Sequence, residues 1–224
     1  AVKALATSSH AVAKAHAHED GEDLPRALLM AAAARIASAF DLPLTIDCEA
    51  GYGRAPDIVA ETARLVIEAG GVGINLEDQI MGEGKLYDIA EQGARIRAAR
   101  AAADVKGIAL FINARTDIFF KTPRTEHGPS HVAQALERAK VYAAAGASGF
   151  FVPGLADLAL IEHVCAGTTL PVNVMAGPQT PGAAQLAGAG VSRISLGVSP
   201  FRTLMATFER LTTEYLDAGV VRAP

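Results

Sequence analysis

Acidic side chains and one arginine stand at the ends of three short apolar runs of the sequence. Asp47 and Glu49 close one run, Glu77 closes the next, and Arg115 closes a third. If these runs are parallel strands of a barrel, their carboxyl ends open into one shared mouth, so the four side chains would converge there. Carboxylates that crowd together repel one another unless a cation lies between them, and oxygen ligands suit a hard ion such as Mg²⁺. The pattern therefore predicts a divalent metal site.

The spacing suggests a role for each of these side chains. Asp47 and Glu49 lie two residues apart, so on an extended strand they project to the same side. We interpret Asp47 as the direct metal ligand, with Glu49 and Glu77 holding metal-bound waters. Arg115 would bind a substrate carboxylate, because a planar guanidinium can do so through two parallel hydrogen bonds. The alternatives are that the acids pair with rim Lys and Arg residues or cap helices, and that Arg115 forms a structural ion pair with Asp47 or Glu77.

Other catalytic arrangements find less support in the sequence. His16 and His18 have the HxH spacing that begins some zinc sites, but such a site needs further histidines at later strand ends, and none stands there. A GxSxG nucleophile motif is absent. Cys48 lies between two carboxylates, which would raise the pKa of its thiol and disfavour a thiolate nucleophile.

The composition excludes several classes of protein. The 224 residues are 50% hydrophobic, which is too apolar for a disordered chain. The net charge is −4 with both signs interspersed, so the basic patch of a nucleic-acid binder is missing. No apolar run approaches the ~18 residues that cross a bilayer. Two lone cysteines suit a reducing compartment. We expect a cytoplasmic protein with neither a nucleic-acid nor a membrane partner.

Seven short apolar runs alternate with longer helical patterns, which is typical of β/α units around a parallel sheet. The clearest helical segments are 25–40, 56–69 and 131–145, and the last two are each followed by a glycine that can cap a helix. The predicted strands are 3–7, 42–47, 72–77, 108–115, 149–152, 172–175 and 193–196.

This alternation predicts one α/β domain over residues 1–224, folded as a (β/α)₈ TIM-type barrel. An open doubly wound sheet is the alternative. Against it, no GxGxxG follows the first strand, and polar residues cluster at the ends of several strands. Because the sequence begins within its first predicted strand and supplies only seven, we expect the first β/α unit of the barrel to be absent from this chain.

Motifs occur along the chain in the order ATSSHAVA (6–13), EDGE (19–22), DCEAGYG (47–53), GINLEDQ (73–79), INARTD (112–117), GASGFFVPG (146–154), PVNVMAGP (171–178) and ISLG (194–197). Together they resemble the isocitrate lyase/phosphoenolpyruvate mutase superfamily. The combination of DxExGYG, LEDQ and NARTD at this spacing is specific, although any one of them alone would be weak.

The resemblance implies a Mg²⁺ cofactor, with Mn²⁺ as a substitute, and a small carboxylate substrate that passes through a pyruvate-like enolate. It also implies a homodimer or homotetramer. Carried over by position, the metal ligands are Asp47, bound directly, and Asp20, Glu49 and Glu77, bound through water. The substrate carboxylate would meet Arg115 and the backbone amides of Ser8, Ser9 and His10.

The segment after LEDQ departs from the superfamily pattern. Isocitrate and methylisocitrate lyases carry a gating loop there whose Cys supplies a proton, whereas residues 80–86 read IMGEGKL and contain no Cys. Only Lys85 matches the gate of the phosphonate mutases. We expect residues 81–85, which include Gly82 and Gly84, to move as a lid. The sequence thus resembles a branch of the superfamily without the Cys gate.

The expected activity is a Mg²⁺-dependent lyase that cleaves a C–C bond of a small 2-oxo or 2-hydroxy carboxylic acid. In that reaction Arg115, Asp47 and Glu77 are the candidate catalytic residues. One alternative is a mutase or hydrolase that acts on the P–C bond of a phosphonopyruvate-type substrate. The other is a carboxylate-binding relic of the superfamily that has lost catalysis.

Overall fold

A seven-stranded parallel sheet forms the centre of the molecule in a computed structural model that describes residues 2–219. Its strands lie side by side in chain order, without a reversal. A doubly wound sheet reverses its order at a switch point, so that alternative is excluded, and the curled sheet is consistent with a TIM-type barrel. The strands are β1 (Leu5–Ala6), β2 (Leu44–Asp47), β3 (Gly73–Glu77), β4 (Gln79–Ile80), β5 (Lys85–Leu86), β6 (Phe111–Arg115), β7 (Gly149–Phe151), β8 (Val172–Met175) and β9 (Arg193–Ser195), of which β4 and β5 form a separate antiparallel hairpin.

All seven predicted strands are present, and most are shorter than predicted. The predicted strand 108–115 shows why. The amide of Leu110 bonds to the carbonyl of Ile108 at 2.8 Å and forms a turn, so β6 begins only at Phe111. The hairpin of β4 and β5 was not predicted. Strands of two residues are too short to show an alternating pattern.

The helices follow the predicted pattern with small shifts at their ends. Proline occupies the first turn of α3 and of α6, where its missing N–H costs nothing. The helices are α1 (Ser9–Ala15), α2 (Arg26–Ala39), α3 (Pro56–Glu68), α4 (Ile89–Val105), α5 (Ile118–Lys121), α6 (Pro129–Ala144), α7 (Leu158–Gly167), α8 (Ala183–Gly188) and α9 (Ser199–Ala218), with a short 3-10 turn at Arg124–Glu126.

Within residues 2–219, the two edge strands of the sheet do not pair with each other: β1 bonds to β2 and β9 bonds to β8. The predicted absence of a first β/α unit stays a prediction. Residues 1 and 220–224 of the predicted domain lie outside the described residues. None of the described helices is long and apolar enough to cross a bilayer.

A buried cation joins the loop after β2 to helix α4. Arg95 of α4 is fully buried. Its guanidinium donates to the carbonyl oxygens of Gly53 and Arg54, each at 2.8 Å, and to that of Ala50. The ring of Tyr87 lies 3.9 Å from the guanidinium carbon, within cation–π range. The strand end that carries two of the predicted site acids is therefore fastened to a helix behind the sheet.

The neighbouring side chain on α4 extends this attachment to the next strand. Gln92 accepts a hydrogen bond from Nε of Arg95 at 2.9 Å and donates one to the backbone carbonyl of Glu77 at 3.1 Å. Both side chains are fully buried. One turn of a helix therefore positions the ends of both β2 and β3.

We predict that Arg95→Ala lowers the free energy of unfolding by about 3 kcal/mol, because buried carbonyls lose their donor and each unsatisfied group costs about 1–3 kcal/mol. Urea denaturation followed by circular dichroism measures this. Arg97→Ala is the matched control, since Arg97 is exposed on the same helix and should change stability by less than about 0.5 kcal/mol. Equal effects of the two substitutions would contradict this account of Arg95.

Candidate functional site

A cavity of about 240 Å³ lies at the carboxyl edge of the sheet. Five of the residues that line it are predicted site residues: Ser9, Asp20, Glu49, Glu77 and Arg115. A larger cavity of about 420 Å³ lies between α1, α2 and the start of α9, and its lining is mostly apolar. Because the smaller cavity collects the charged groups, it is the candidate active site.

Asp47 ends β2 and is not itself a lining residue of this cavity, although it contacts Ser9, which is, and only 9% of the Asp47 surface is exposed. One carboxylate oxygen, Oδ2, accepts a hydrogen bond from the backbone amide of Ser9 at 3.1 Å. The other, Oδ1, is buried and has no hydrogen-bond partner among the described residues. A buried carboxylate oxygen without a partner is costly, so this atom is available to a ligand such as a cation.

Glu49 is held by the backbone of the loop that follows α1. Its Oε2 accepts hydrogen bonds from the amides of Gly21 and Glu22, at 2.7 and 2.8 Å. In return, Oε1 of Glu22 accepts a hydrogen bond from the amide of Tyr52 at 2.6 Å. Burial, together with the negative charge of Asp20, raises the pKa of Glu49 from its usual value near 4.5 to about 7. These hydrogen bonds hold the two loops together, and the same arrangement brings the negative charges of Asp20 and Glu49 close to each other.

Backbone strain is concentrated in these loops. Glu22, Glu49 and Tyr52 have φ values of 65°, 50° and 65°, a region that residues with a side chain seldom adopt. Gly51 between them has φ 94°, and a Cβ there would lie 3.0 Å from Cδ1 of Leu76. Only glycine fits that position without displacing the core. Such strain is typical of functional sites, where the surrounding contacts maintain it.

Arg115 at the end of β6 lies between two carboxylates. Its Nη1 is 2.7 Å from Oε2 of Glu77, and its Nε and Nη2 donate to the two oxygens of Asp117 at 2.5 and 2.9 Å. The ion pair with Glu77 considered from the sequence is thus present, whereas the pair with Asp47 is not among those seen in residues 2–219. Three of the five N–H donors of a guanidinium are used, so two remain for a carboxylate ligand. Burial raises the pKa of Glu77, and the Arg115 guanidinium opposes that shift.

No site role was assigned to Asp117 from the sequence. Its position two residues after Arg115, close to the same strand end, is the signal that could have indicated such a role. A second buried acid holds Asp117 in place. Oδ1 of Asp78 accepts a hydrogen bond from the Asp117 amide at 2.9 Å, while Oδ2 accepts from the Tyr142 hydroxyl at 2.8 Å and from Arg138 at 3.1 Å. Asp78 therefore anchors the segment that orients the Arg115 guanidinium.

The predicted carboxylate cradle of Ser8, Ser9 and His10 begins helix α1. Ser8 caps the helix, its Oγ accepting the Ala11 amide at 3.5 Å. The Ser9 amide already donates to Asp47, and Nδ1 of His10 lies 3.7 Å from Oδ2 of Asp20. Of these three residues, Ser9 is the one that lines the cavity, and the contact of all three with a substrate carboxylate stays a prediction.

The histidines of the HxH segment bond to nearby groups. Nδ1 of His16 lies 2.9 Å from the carbonyl of Val12, and Nδ1 of His18 lies 3.0 Å from Asp23. Across residues 2–219, no three His, Cys, Asp or Glu side chains are close enough to bind one ion together. Zinc sites need at least three protein ligands, so the zinc alternative is not supported. Mg²⁺ commonly binds through one or two carboxylates and keeps several waters.

The segment after β3 forms the hairpin of β4 and β5, whose turn spans residues 81–84. Ile80 packs with Ala50 and Tyr87 in a small apolar cluster, and Arg54 pairs with Glu83 at 2.9 Å. The hairpin therefore lies against the loop after β2, over the edge of the cavity. Its predicted movement as a lid stays a prediction.

Known proteins share both the fold and the sequence pattern. A crystal structure of a provisionally assigned phosphonomutase from Burkholderia cenocepacia J2315 is 49% identical, with a TM-score of 0.93 over 95% of this chain and 84% of that one. The 2-methylisocitrate lyase of Escherichia coli K12 is 30% identical over 143 residues, which cover 62% of this chain and 46% of the lyase. The oxaloacetate decarboxylase of Rhodopseudomonas palustris BisA53 is 31% identical over 151 residues, which cover 64% of this chain and 48% of the decarboxylase.

The matched segments thus span about half of each of these two enzymes. The match to the family itself covers far more of the present chain. The family model of phosphoenolpyruvate phosphomutase matches residues 1–216, and so the chain belongs to that family, within the isocitrate lyase/phosphoenolpyruvate mutase superfamily that its motifs indicate.

Proposed function

We propose that this chain is a Mg²⁺-dependent lyase that cleaves a C–C bond of a small 2-oxo or 2-hydroxy carboxylic acid through a pyruvate-like enolate. The observation that carries the proposal is that Glu49, Glu77 and the partly unused guanidinium of Arg115 line one small cavity, where the lining residue Ser9 donates its amide to Asp47. The names of two relatives also support C–C bond cleavage, because one is a 2-methylisocitrate lyase and the other an oxaloacetate decarboxylase.

The residues at the cavity fit a hard divalent cation. The partnerless Oδ1 of Asp47 is the atom for direct contact, and Asp20, Glu49 and Glu77 would hold metal-bound waters. Mn²⁺ prefers the same oxygen ligands and would substitute for Mg²⁺. When bound, the ion supplies Lewis-acid stabilisation of the negative charge that develops on a substrate oxygen.

The protein's own groups bind and orient the substrate. The two unused N–H donors of Arg115 bind one carboxylate, and Glu77 and Asp117 keep the guanidinium from rotating. Met81 and Gln79 of the hairpin segment border the cavity. The hairpin thereby limits the access of water to an enolate, which water would protonate. Because the hairpin contains no Cys, a reaction that needs a gate Cys as proton donor is not proposed.

A P–C bond mutase or hydrolase on a phosphonopyruvate-type substrate is the second candidate. It is favoured by the 49% identity to a provisionally assigned phosphonomutase and by Lys85 in the hairpin. Phosphorus NMR of phosphonopyruvate incubated with the enzyme and Mg²⁺ separates the two, because a C–C lyase leaves that spectrum unchanged. Binding of oxalate with no turnover of any candidate acid would instead favour the non-catalytic relic.

We propose that the protein assembles as a homodimer or homotetramer. Helix α9 supports this proposal, because none of its residues is buried and it exposes large apolar side chains to solvent. Such a surface is typical of an interaction face. Light scattering coupled to gel filtration gives the mass in solution, and a 23 kDa particle at all concentrations would contradict the proposal. The exposed side chains are Leu204, Met205, Phe208, Tyr215 and Leu216.

We predict that Asp47→Asn abolishes the release of pyruvate from a panel of 2-oxo and 2-hydroxy dicarboxylic acids. It should also weaken Mg²⁺ binding by more than the ~10–100-fold that loss of an outer partner costs. The fold should survive, because removal of one of several crowded charges relieves repulsion. Asp41→Asn is the matched control, since Asp41 is exposed just before β2. Full activity of Asp47→Asn at saturating Mg²⁺ would overturn the proposed role of this residue.

The raised pKa of Glu49 predicts the pH dependence of cation binding to the metal-free protein. With a pKa of about 7, Glu49 is mostly protonated at pH 6 and mostly ionised at pH 8. If cation binding needs the ionised form, affinity should fall about tenfold from pH 8 to pH 6. The same pKa shift makes the stability of the metal-free protein depend on pH. Because the folded state favours protonated Glu49, the free energy of unfolding should fall as pH rises from about 4.5 to about 7, and Mg²⁺ should restore it.

Titration with Mn²⁺ followed by electron paramagnetic resonance measures the affinity at both pH values. Glu49→Gln cannot ionise, so this variant should bind Mn²⁺ weakly and with little pH dependence. Glu91→Gln serves as the control, because Glu91 is exposed on α4. An affinity that is equal at pH 6 and pH 8 in the unaltered protein would show that Glu49 is not linked to the cation.

A further inference from the structure

Two apolar side chains stand among the polar groups that line the 240 Å³ cavity. Phe120 belongs to α5, shortly after Asp117, and Met81 belongs to the turn of the β4–β5 hairpin. The Phe120 side chain is 45% exposed. A bound molecule that covers an exposed ring gains free energy by removing apolar surface from water. Because this ring lies in an otherwise charged site, we expect the ligand to have an apolar part that contacts it.

The surroundings of Phe120 place its ring beside the carboxylate-binding group. The Arg115 guanidinium carbon lies 5.3 Å from the ring centroid. On the other side, Gly154 makes room for the ring: a Cβ at position 154 would lie 2.9 Å from Cδ1 of Phe120. A carboxylate bound by Arg115 would thus lie close to the Phe120 ring.

Met81 supplies the second apolar surface from a different loop. It packs against the cluster of Ala50, Ile80 and Tyr87, and its Sδ accepts a hydrogen bond from the side-chain amide Nε2 of Gln79 at 3.8 Å. The flexible thioether of methionine adapts to ligands of irregular shape. Two separate loops therefore each contribute one apolar side chain to an otherwise polar cavity.

We propose that Phe120 and Met81 determine specificity by binding a short alkyl group that lies next to the carboxylate held by Arg115. The inference rests on the proposed function, and it narrows the substrate to alkyl-substituted 2-oxo or 2-hydroxy acids. The alkyl group is short, because the cavity of 240 Å³ is below the ~300–1,000 Å³ of pockets for larger ligands. Unsubstituted acids, such as oxalate, would bind through Arg115 and the cation alone.

Competition binding in the presence of Mg²⁺ tests this proposal. Oxalate is the reference ligand, and pyruvate, 2-oxobutyrate and 2-oxovalerate form a series with one added methylene at each step. In the unaltered protein the affinity should rise about fourfold with each methylene. Phe120→Ala should flatten this rise and change oxalate affinity less than twofold. Phe120→Leu should retain part of the rise, and Met81→Ala should reduce it.

Phe40→Ala is the matched control, since Phe40 is 56% exposed at the end of α2, away from the candidate site. This variant should behave like the unaltered protein. Oxalate binding also reports folding of each variant. If Phe120→Ala loses oxalate as well, Met81→Ala and Phe120→Leu decide, because the proposal requires both to weaken 2-oxovalerate more than oxalate.

The outcomes separate this inference from the function on which it rests. If the unaltered protein binds no oxalate with Mg²⁺, the proposed function fails, and the inference fails with it. If oxalate binds but affinity does not rise along the series, the inference alone is overturned. The same holds if the rise persists unchanged in the Phe120 and Met81 variants.

Discussion

Repulsion among buried carboxylates is the constraint on which the rest of the structure depends. Asp47, Glu49, Glu77 and Asp117 are each at most 9% exposed, and of these four the Arg115 guanidinium pairs with Glu77 and Asp117. Ionised carboxylates in such a setting are stable only when paired or bound to a cation. The raised pKa of Glu49 and the partnerless oxygen of Asp47 are two signs that protein groups alone do not balance this charge.

The fold maintains this arrangement through groups behind the site. Arg95 and Gln92 on α4 hold the ends of β2 and β3 through backbone carbonyls, and Asp78 holds the amide of Asp117. All three side chains are fully buried. Each of these three side chains bonds to the main chain. Each therefore fixes the position of a strand end and does not itself determine what the site side chains at that strand end bind. This division lets the cavity keep uncompensated charge while the buried side chains of Arg95, Gln92 and Asp78 keep their hydrogen bonds to the main chain.

The sequence predicted the sheet because buried parallel strands are short apolar runs separated by turn residues. Asp47, Glu49 and Arg115 could be predicted as site residues because they stand at strand ends, which the fold brings together. The β4–β5 hairpin could not, since its strands are too short to show a pattern. The role of Asp78 was also hidden: its partner Arg138 lies 60 residues away, and a contact at that separation leaves no local signal. The apolar surface of Phe120 depends on the space beside Gly154, which only the structure shows.

The central claim is that the crowded carboxylates bind a divalent cation that in turn binds a small carboxylate. A crystal structure of the protein with Mg²⁺ and oxalate tests it most directly. We expect an ion at about 2.1 Å from Oδ1 of Asp47, with waters between it and Glu49 and Glu77, and oxalate between the ion and Arg115. A cavity that contains oxalate without an ion, or an ion bound away from Asp47, would contradict the account.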